Sequence, residues 1–251
     1  MAAPDALLAD ALRRDPAGPL LTYYDDSTGE RTELSATTLA NWVAKTANLL
    51  VDDADVTPGD RVAVLLPAHW QTAAVLLAVW STGAVATDDP AGATVAFTDA
   101  ERVPAAVMAG VPEVFALSLA PLGRAFDGAA PDGARDYAAE VRAHGDRFAG
   151  PAAMDTAAAL DTVDGTATGG DVVEVARRRA EEVGVSGHDR VLTVRQWTGP
   201  VDWVDGLLVP LAAGASVVIA AHADPEMLRA RVEAEQVTAT LGITLPGVRP
   251  L

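Results

Sequence analysis

Residues 57–83 constrain the fold of this chain more than any other part of its sequence. Pro58 and Gly59 form a turn signal, because proline presets φ at the first central turn position and glycine accepts a positive φ at the next. Residues 61–66, RVAVLL, follow as a short apolar run. Such a run is typical of a strand that is covered on both faces of a parallel sheet.

An apolar helix and a second strand complete this unit. Residues 70–80 are apolar almost all round and contain neither glycine nor proline, and Gly83 stands where a left-handed C-cap is expected. Residues 84–86 then restart an apolar strand. The pattern predicts one βαβ unit with a buried crossover helix.

Several motifs in this region resemble those of a known family. Residues 60–67 read DRVAVLLP and residues 83–85 read GAV. They are similar to the N-terminal domain of the AMP-forming adenylating enzymes, which include acyl-CoA synthetases, luciferases and peptide-synthetase adenylation domains. Those proteins commonly read PGDRVAVLLPN, then an apolar helix, then GAV. Residues 206–219 and 224–238 also resemble the family's GLLxPLLAGATVVL and DPEALLELIEKYRVT segments.

This resemblance implies an α/β fold with three layers, in which crossover helices connect mostly parallel sheets. It covers residues 1–251 as one domain, or as two subdomains of about 1–160 and 161–251. The chain departs from the family pattern after Val85, because residues 88–92 lead almost directly into a predicted strand at 94–99. Residues 135–148 are predicted to form a helix, with Tyr137, Val141 and Phe148 facing inward.

Composition excludes several classes of function. Thirty-five acidic and eighteen basic residues give a net charge of -17, which repels nucleic acids and anionic membranes. The absence of cysteine excludes disulfides and zinc-thiolate sites. Residues 1–10 lack the basic start of a signal peptide, and no apolar run reaches the ~18 residues that a membrane span needs. We therefore expect a cytoplasmic protein without nucleic-acid or membrane partners.

The resemblance implies a degenerate phosphate loop between residues 161 and 173. The family's loop, TSGTTGxPKGV, wraps the ATP phosphates with backbone amides and hydroxyl groups. The corresponding cofactor-binding residues here are Gly165, Thr166, Thr168, Gly169 and Gly170. Asp171 stands in place of the family's lysine, and a buried carboxylate there would disfavour a polyanion by several kcal/mol, as an order of magnitude. An ordinary flexible loop before a helix at 172–183 is the alternative.

A substrate pocket is implied after the predicted strand at residues 189–195. The family has an aromatic, histidine-bearing segment there that lines its acyl pocket, and this chain has Gly199 near the position of that histidine. Trp197 and Trp203 are the candidate pocket residues. Buried tryptophans more often belong to a core, so the core interpretation stands beside the pocket.

Family motifs that carry adenylation chemistry are missing from the sequence. The adenine-binding segment, the YGxTE and TGD motifs and the C-terminal lid would all follow Leu251. Lys45, the single lysine, lies on an early predicted helix and cannot replace the lysines of the family. We therefore predict no catalytic residue, no metal site and no required cofactor, although ATP or AMP with magnesium remains an open alternative.

Other catalytic signatures are also missing. His69, His144, His188 and His222 are isolated, and the sequence has neither a nucleophile elbow nor a dinucleotide-binding glycine motif. The leading hypothesis is a catalytically degenerate binding or regulatory module, with a small-molecule ligand, a protein partner or a homo-oligomer. The alternative is nucleotide or acyl binding between residues 164–171 and 197–203, with reduced or complemented AMP-forming ligase activity. An unrelated function on an inherited fold is a third.

Overall fold

The computed structural model describes residues 3–150 and 153–251. The α-helices are α1 (Asp5–Arg14), α2 (Ala36–Asn48), α3 (Trp70–Ser81), α4 (Val103–Met108), α5 (Tyr137–Val141), α6 (Gly169–Val183), α7 (Pro200–Trp203), α8 (Val209–Ala213) and α9 (Pro225–Ala234). The strands are β1 (Pro19–Asp25), β2 (Glu30–Ser35), β3 (Arg61–Leu65), β4 (Val85–Thr87), β5 (Val95–Asp99), β6 (Glu113–Leu117), β7 (Arg135–Asp136), β8 (Ala158–Thr162), β9 (Gly165–Thr168), β10 (Arg190–Thr193), β11 (Ser216–Ala221), β12 (Ala239–Leu241) and β13 (Arg249–Pro250).

The strands form two sheets. Sheet A has the order β13-β12-β10-β11-β1-β2, and sheet B has the order β7-β6-β5-β3-β4-β8-β9. Neighbouring strands are parallel except for the pairs β1–β2 and β8–β9, which are antiparallel hairpins at one edge of each sheet. The predicted α/β fold with mostly parallel sheets is therefore confirmed.

Helices lie between the two sheets and cover their outer faces. Residues 70–80 of α3 are buried on every side, because this helix packs between β1 of sheet A and β3 and β4 of sheet B. Leu228 of α9 packs on the outer face of sheet A, and Ala106 of α4 packs on the outer face of sheet B. The predicted three layers are the sheet, helix and sheet of this core, and α4 and α9 add outer cover.

Hydrogen bonds stabilise both ends of the central helix of the βαβ unit. The Nδ1 atom of His69 accepts a hydrogen bond from the Gln71 N–H at 3.1 Å and so caps α3. At the other end Gly83 adopts a positive φ of 76°. The Gly59 N–H donates to the Gly83 carbonyl at 2.9 Å, which joins the turn before β3 to the end of α3. The structure thus confirms the predicted unit.

Two separate parts of the chain contribute strands to sheet A. Strands β1 and β2 belong to sheet A, β3 to β9 build sheet B, and β10 to β13 return to sheet A. One core cluster contains residues of both sheets, including Leu21 and Phe97. Residue 160 lies inside β8, so the sheets do not separate at that position. The division into subdomains stays a prediction.

Two predicted segments differ in the structure. Residues 135–148 do not form one helix, because Asp136 ends β7 and caps α5, which stops at Val141. Residues 144–148 instead lie along α2, where Lys45 and Asn48 bind their carbonyl groups. Residues 165–168, predicted as a loop, form β9. No helix among the described residues combines the length and the apolar character needed to cross a membrane.

Candidate functional site

The β8–β9 hairpin occupies the segment where the resemblance implies a phosphate loop. Thr162 and Gly165 are paired across it, so only Val163 and Asp164 form the turn. Gly165 has a φ of 124°, a backbone conformation in which any residue other than glycine would be strained. The candidate glycines and threonines therefore lie in a strand and at the start of α6 instead of in a wide loop.

Backbone amides at the start of α6 already have acceptors. The Gly169 N–H donates to the Ala157 carbonyl at 2.9 Å, and the Gly170 N–H donates to the Asp155 carbonyl at 2.7 Å. The Asp171 N–H donates to Thr168 Oγ1 at 3.2 Å, and the Asp171 side chain accepts from the Thr168 N–H in a capping box. These N–H groups are satisfied without an anion.

The polar side chains of the hairpin are acidic or already bonded within the protein. Thr168 Oγ1 donates to Asp171 Oδ2 at 2.6 Å, and the hydroxyl of Thr166 donates to Asp161. Asp164 at the turn adds another exposed carboxylate. A triphosphate needs free N–H donors and cations, and the hairpin residues do not fit that requirement. Whether the five candidate residues bind a nucleotide stays a prediction.

Both candidate tryptophans lie in the core. Trp197 is 2% exposed and Trp203 is 1% exposed. A Cβ atom built on Gly206 would lie 2.2 Å from Trp197 Nε1, so the indole fills the space that a side chain at position 206 would need. Neither tryptophan lines the two clefts described next. Their role in a ligand pocket stays a prediction, and the packing favours the core interpretation.

A small apolar cleft lies between the two segments that contain the candidate site residues, the β8–β9 hairpin with α6 and the start of α7. Its volume is about 170 Å³. The cleft is lined by Leu160, Thr162, Ala167, Asp171, Val172, Val175, Arg179, Pro200, Val201 and Val204. It is smaller than the roughly 300–1,000 Å³ of most ligand pockets. It can hold an apolar group but not a nucleotide.

A larger cleft lies on the other side of Arg179. Its volume is about 420 Å³, which is within the usual range for ligands. Arg179 and Arg195 both form ion pairs with Asp205, and the Arg195 Nη1 to Asp205 Oδ2 distance is 3.2 Å. The apolar part of the wall consists of Val183, Val185, Val191, Val209, Pro210, Leu241 and Leu251. Two guanidinium groups therefore share the Asp205 carboxylate beside an apolar surface, and the exposed Glu182 also lines the cleft.

Sequence reasoning missed this arginine pair. Arg179 ends a run of three arginines on α6, which is indistinguishable in sequence from a solvated helix face. Arg195 follows β10, and Asp205 lies in the π-helical segment Val204–Leu208 between α7 and α8. A π-helical segment changes the direction of its side chains relative to a regular helix. No signal in the sequence links these three positions.

Known proteins place the chain in a family. The model for the family described as AMP-binding enzyme matches residues 8–88. A protein of Mycobacterium tuberculosis (strain ATCC 25618 / H37Rv), described as a TIGR03089 family protein, is 48% identical over 243 residues. That match covers 94% of this chain and 96% of the relative. This chain belongs to the TIGR03089 family.

Solved structures share the fold of this TIGR03089 chain. An acyl-CoA synthetase from Brucella canis matches 96% of the chain with a TM-score of 0.76 at 18% identity, over 47% of its own length. The acetoacetyl-CoA synthetase from Streptomyces lividans matches 95% of the chain with a TM-score of 0.77 at 18% identity, over 42% of its length. The anthranilate CoA ligase AuaEII, solved with anthranoyl-AMP, matches 96% with a TM-score of 0.75 at 13% identity, over 48% of its length.

The TIGR03089 chain thus spans about half the length of these synthetases and ligases. At such low identities the likeness establishes the fold. Together with the match over residues 8–88, it confirms the resemblance to the N-terminal region of the AMP-forming enzymes. Among residues 3–150 and 153–251, no group of three or more histidine, aspartate or glutamate side chains is arranged to hold a metal ion.

Proposed function

We propose that this TIGR03089 family member is a non-catalytic binding module on the N-terminal fold of the AMP-forming ligases. The β8–β9 hairpin supports the proposal. A two-residue turn stands where the resemblance implies a phosphate loop, and the N–H groups of Gly169, Gly170 and Asp171 are bonded within the protein. A polyphosphate would have to displace these bonds, at a cost of about 1–3 kcal/mol for each group left unpaired.

The ligand that best fits the larger cleft is a small carboxylate with an apolar part. A carboxylate can pair with the guanidinium groups of Arg179 and Arg195, whose one ion-pair partner among the described residues is Asp205. Its apolar part would contact the valine and leucine wall. The net charge of -17 slows the approach of an anion, but screening limits this repulsion to about 8–10 Å at physiological salt.

Thermal unfolding with nucleotides tests the non-catalytic part of the proposal. The protein is melted alone and with millimolar ATP or AMP, each with and without Mg²⁺. We expect no change in midpoint. A ligand at 100 times its Kd would stabilise the fold by about 2.7 kcal/mol. A saturable rise in midpoint would contradict the proposal, because it would mean that a nucleotide site survives.

Calorimetric titration with hexanoate tests the ligand class. We expect binding to the unsubstituted protein and a loss of about tenfold in affinity for Arg179→Gln, as for the loss of a charged hydrogen bond. Arg178→Gln is the matched control. Arg178 is the neighbouring residue on α6, its side chain is exposed, and its one ion pair among the described residues is with Glu182. Equal affinity of the two variants would exclude the larger cleft as the carboxylate site.

A second candidate function is reduced or complemented AMP-forming ligase activity. It is supported by the small cleft, which can hold the apolar part of an acyl substrate, but not the nucleotide, between the hairpin and Pro200 and Val201. A carboxylate-dependent exchange of pyrophosphate into ATP, measured with Mg²⁺, tests it. Exchange above background that Arg179→Gln removes and Arg178→Gln retains would favour this second function over the first.

A further inference from the structure

A groove between α1 and α2 lies outside the clefts around Arg179. Asp5, Leu8, Ala9 and Leu12 form one face of α1, at the helical spacing of three and four residues. The facing residues of α2 are Ala40, Val43 and Ala44. The volume of the groove is about 570 Å³, which is within the range of small-molecule sites.

Residues 146–150 line the groove beside the two helices. Phe148 packs against the core, and the Lys45 Nζ atom holds the segment by donating to the His144 carbonyl at 2.6 Å. Lys45 also pairs with Asp146 at 2.7 Å, so the charge of Asp146 is compensated. The segment and the two helices together line an open, mostly apolar groove.

Asp5 is the polar residue on the α1 side of the groove. Its Oδ1 atom is buried without a hydrogen-bond partner, and no cation among the described residues pairs with it. Burial raises the pKa of this carboxyl, and the nearby N–H groups of Asp5 and Ala6 only partly oppose that rise. A desolvated carboxylate gains more from a cation than an exposed one does.

Two other charged residues line the groove: Asp146, whose charge is compensated by Lys45, and Arg147, which is exposed. Its interaction with a ligand would be screened by water, whereas Asp5 lies within the wall. The charge of the groove therefore favours a cation at Asp5 over an anion at Arg147. The net charge of -17 adds to this preference.

We propose that the groove between α1 and α2 binds a small molecule that carries an ammonium group on an apolar chain. The ammonium group pairs with the Asp5 carboxylate, and the chain lies along Leu8, Leu12 and Val43. This site is separate from the carboxylate cleft around Arg179, so either proposal can fail without the other.

Calorimetric titration with n-octylammonium chloride tests this proposal. We expect saturable binding to the unsubstituted protein and weaker binding of octanamide, a neutral molecule of the same chain length. Asp5→Asn should weaken octylammonium binding by about fivefold, the effect of losing one partly exposed ion pair. Because the substitution removes an unpartnered buried charge, this variant is expected to fold.

Matched variants make the result decisive. Asp10→Asn removes the same charge from α1 at a residue that pairs with Arg13, and it should bind octylammonium normally. Ala9→Phe should block the groove and abolish binding, and Arg178→Gln, an exposed substitution on α6, should leave binding unchanged. The proposal is overturned if octylammonium does not bind, or if Asp5→Asn and Asp10→Asn have equal effects. It is also overturned if binding survives Ala9→Phe.

Discussion

The Nε atom of Arg61 lies 2.8 Å from Oδ2 of Asp161, so an ion pair joins the start of β3 to the β8–β9 hairpin. The contact lacks the alignment of a hydrogen bond. It supplements a short backbone ladder, because β8 meets the rest of sheet B through the Ala86–Leu160 pair. Arg61 also donates to the Ala91 carbonyl at 3.0 Å.

Asp161→Asn should therefore loosen the hairpin. We expect the free energy of unfolding to fall by about 1 kcal/mol, the upper part of the range for partly exposed pairs. Urea denaturation measures this change. Asp164→Asn, at the exposed hairpin turn, is the control and should change stability by less than about 0.5 kcal/mol. Equal effects of the two substitutions would mean that the Arg61 pair does not hold the hairpin.

Glu235 should make stability depend on pH in the acidic range. Burial alone would raise the pKa of Glu235, but hydrogen bonds from Tyr24, Arg190 and Arg31 outweigh it and lower the pKa to about 2. Since the folded pKa lies below the unfolded value of about 4.3, stability is lost as the pH falls from about 4.5 towards 2. The loss should reach about 2–3 kcal/mol.

Glu235→Gln tests this prediction. The variant should be less stable by about 3 kcal/mol at pH 7, because the largely buried Arg190 loses its ion-pair partner and Arg31 keeps only its pair with Glu33 among the described residues. Its stability should also change less between pH 4.5 and 2.5. Glu233→Gln, an exposed substitution in the last turn of α9, should behave like the unsubstituted protein in urea titrations at each pH.

His69 should produce a second pH dependence at higher pH. Burial lowers the pKa of His69 to about 3, against a weaker opposing effect of Asp25. The His69 imidazole therefore binds a proton near pH 6.5 in the unfolded chain, whereas in the folded protein it stays neutral at that pH. Stability should fall by about 2 kcal/mol as the pH drops from 6.5 to 5.

His69→Asn should remove this slope while keeping a side-chain acceptor for the N–H of Gln71 at the start of α3. Urea unfolding at pH 7, 6 and 5 measures the slope, and His188→Asn is the exposed control. A slope that survives in His69→Asn would assign the pH dependence to other groups. The test compares how the free energy of unfolding changes with pH. A loss of packing energy at position 69 that is the same at every pH therefore does not affect the result.

Gly206→Ala should destabilise the protein although it replaces glycine within a helical segment. Such a change normally stabilises a helix by about 0.5–1 kcal/mol. Here the new Cβ would lie 2.2 Å from Trp197 Nε1, and overpacking of a core costs about 1–3 kcal/mol. Near-ultraviolet circular dichroism should report the displaced indole. Gly145→Ala, whose Cβ would only contact Asn48 at 4.0 Å, is the control.

Lys45→Met should release residues 144–148 from α2. The substitution removes the bond to the His144 carbonyl and the pair with Asp146, while Asn48 still binds the carbonyls of Gly145 and Arg147. We expect a loss of about 1 kcal/mol and faster cleavage after Arg142 or Arg147 by trypsin. Unchanged cleavage at these arginines would show that Asn48 and Phe148 suffice to hold the segment.

Local patterns in the sequence determined the first βαβ unit. The turn at Pro58 and Gly59, the apolar run after it and the cap at Gly83 act over a few residues, so they could be read without tertiary contacts. The same holds for α9, which begins at the Asp224 cap and Pro225 as expected. These elements, together with the family motifs, were enough to predict an α/β fold with parallel sheets.

Tertiary structure alone decided the candidate site. Whether residues 165–168 form a loop or a strand depends on pairing with β8. The N–H groups of Gly169 and Gly170, which a phosphate would need, bond to carbonyl groups just before β8. Arg179, Arg195 and Asp205 are up to 26 residues apart and meet because α6 packs on the helical segment before α8. The local sequence does not indicate such contacts, since the residues next to an arginine in the chain are no different when its side chain is solvated and when it is paired with a distant aspartate.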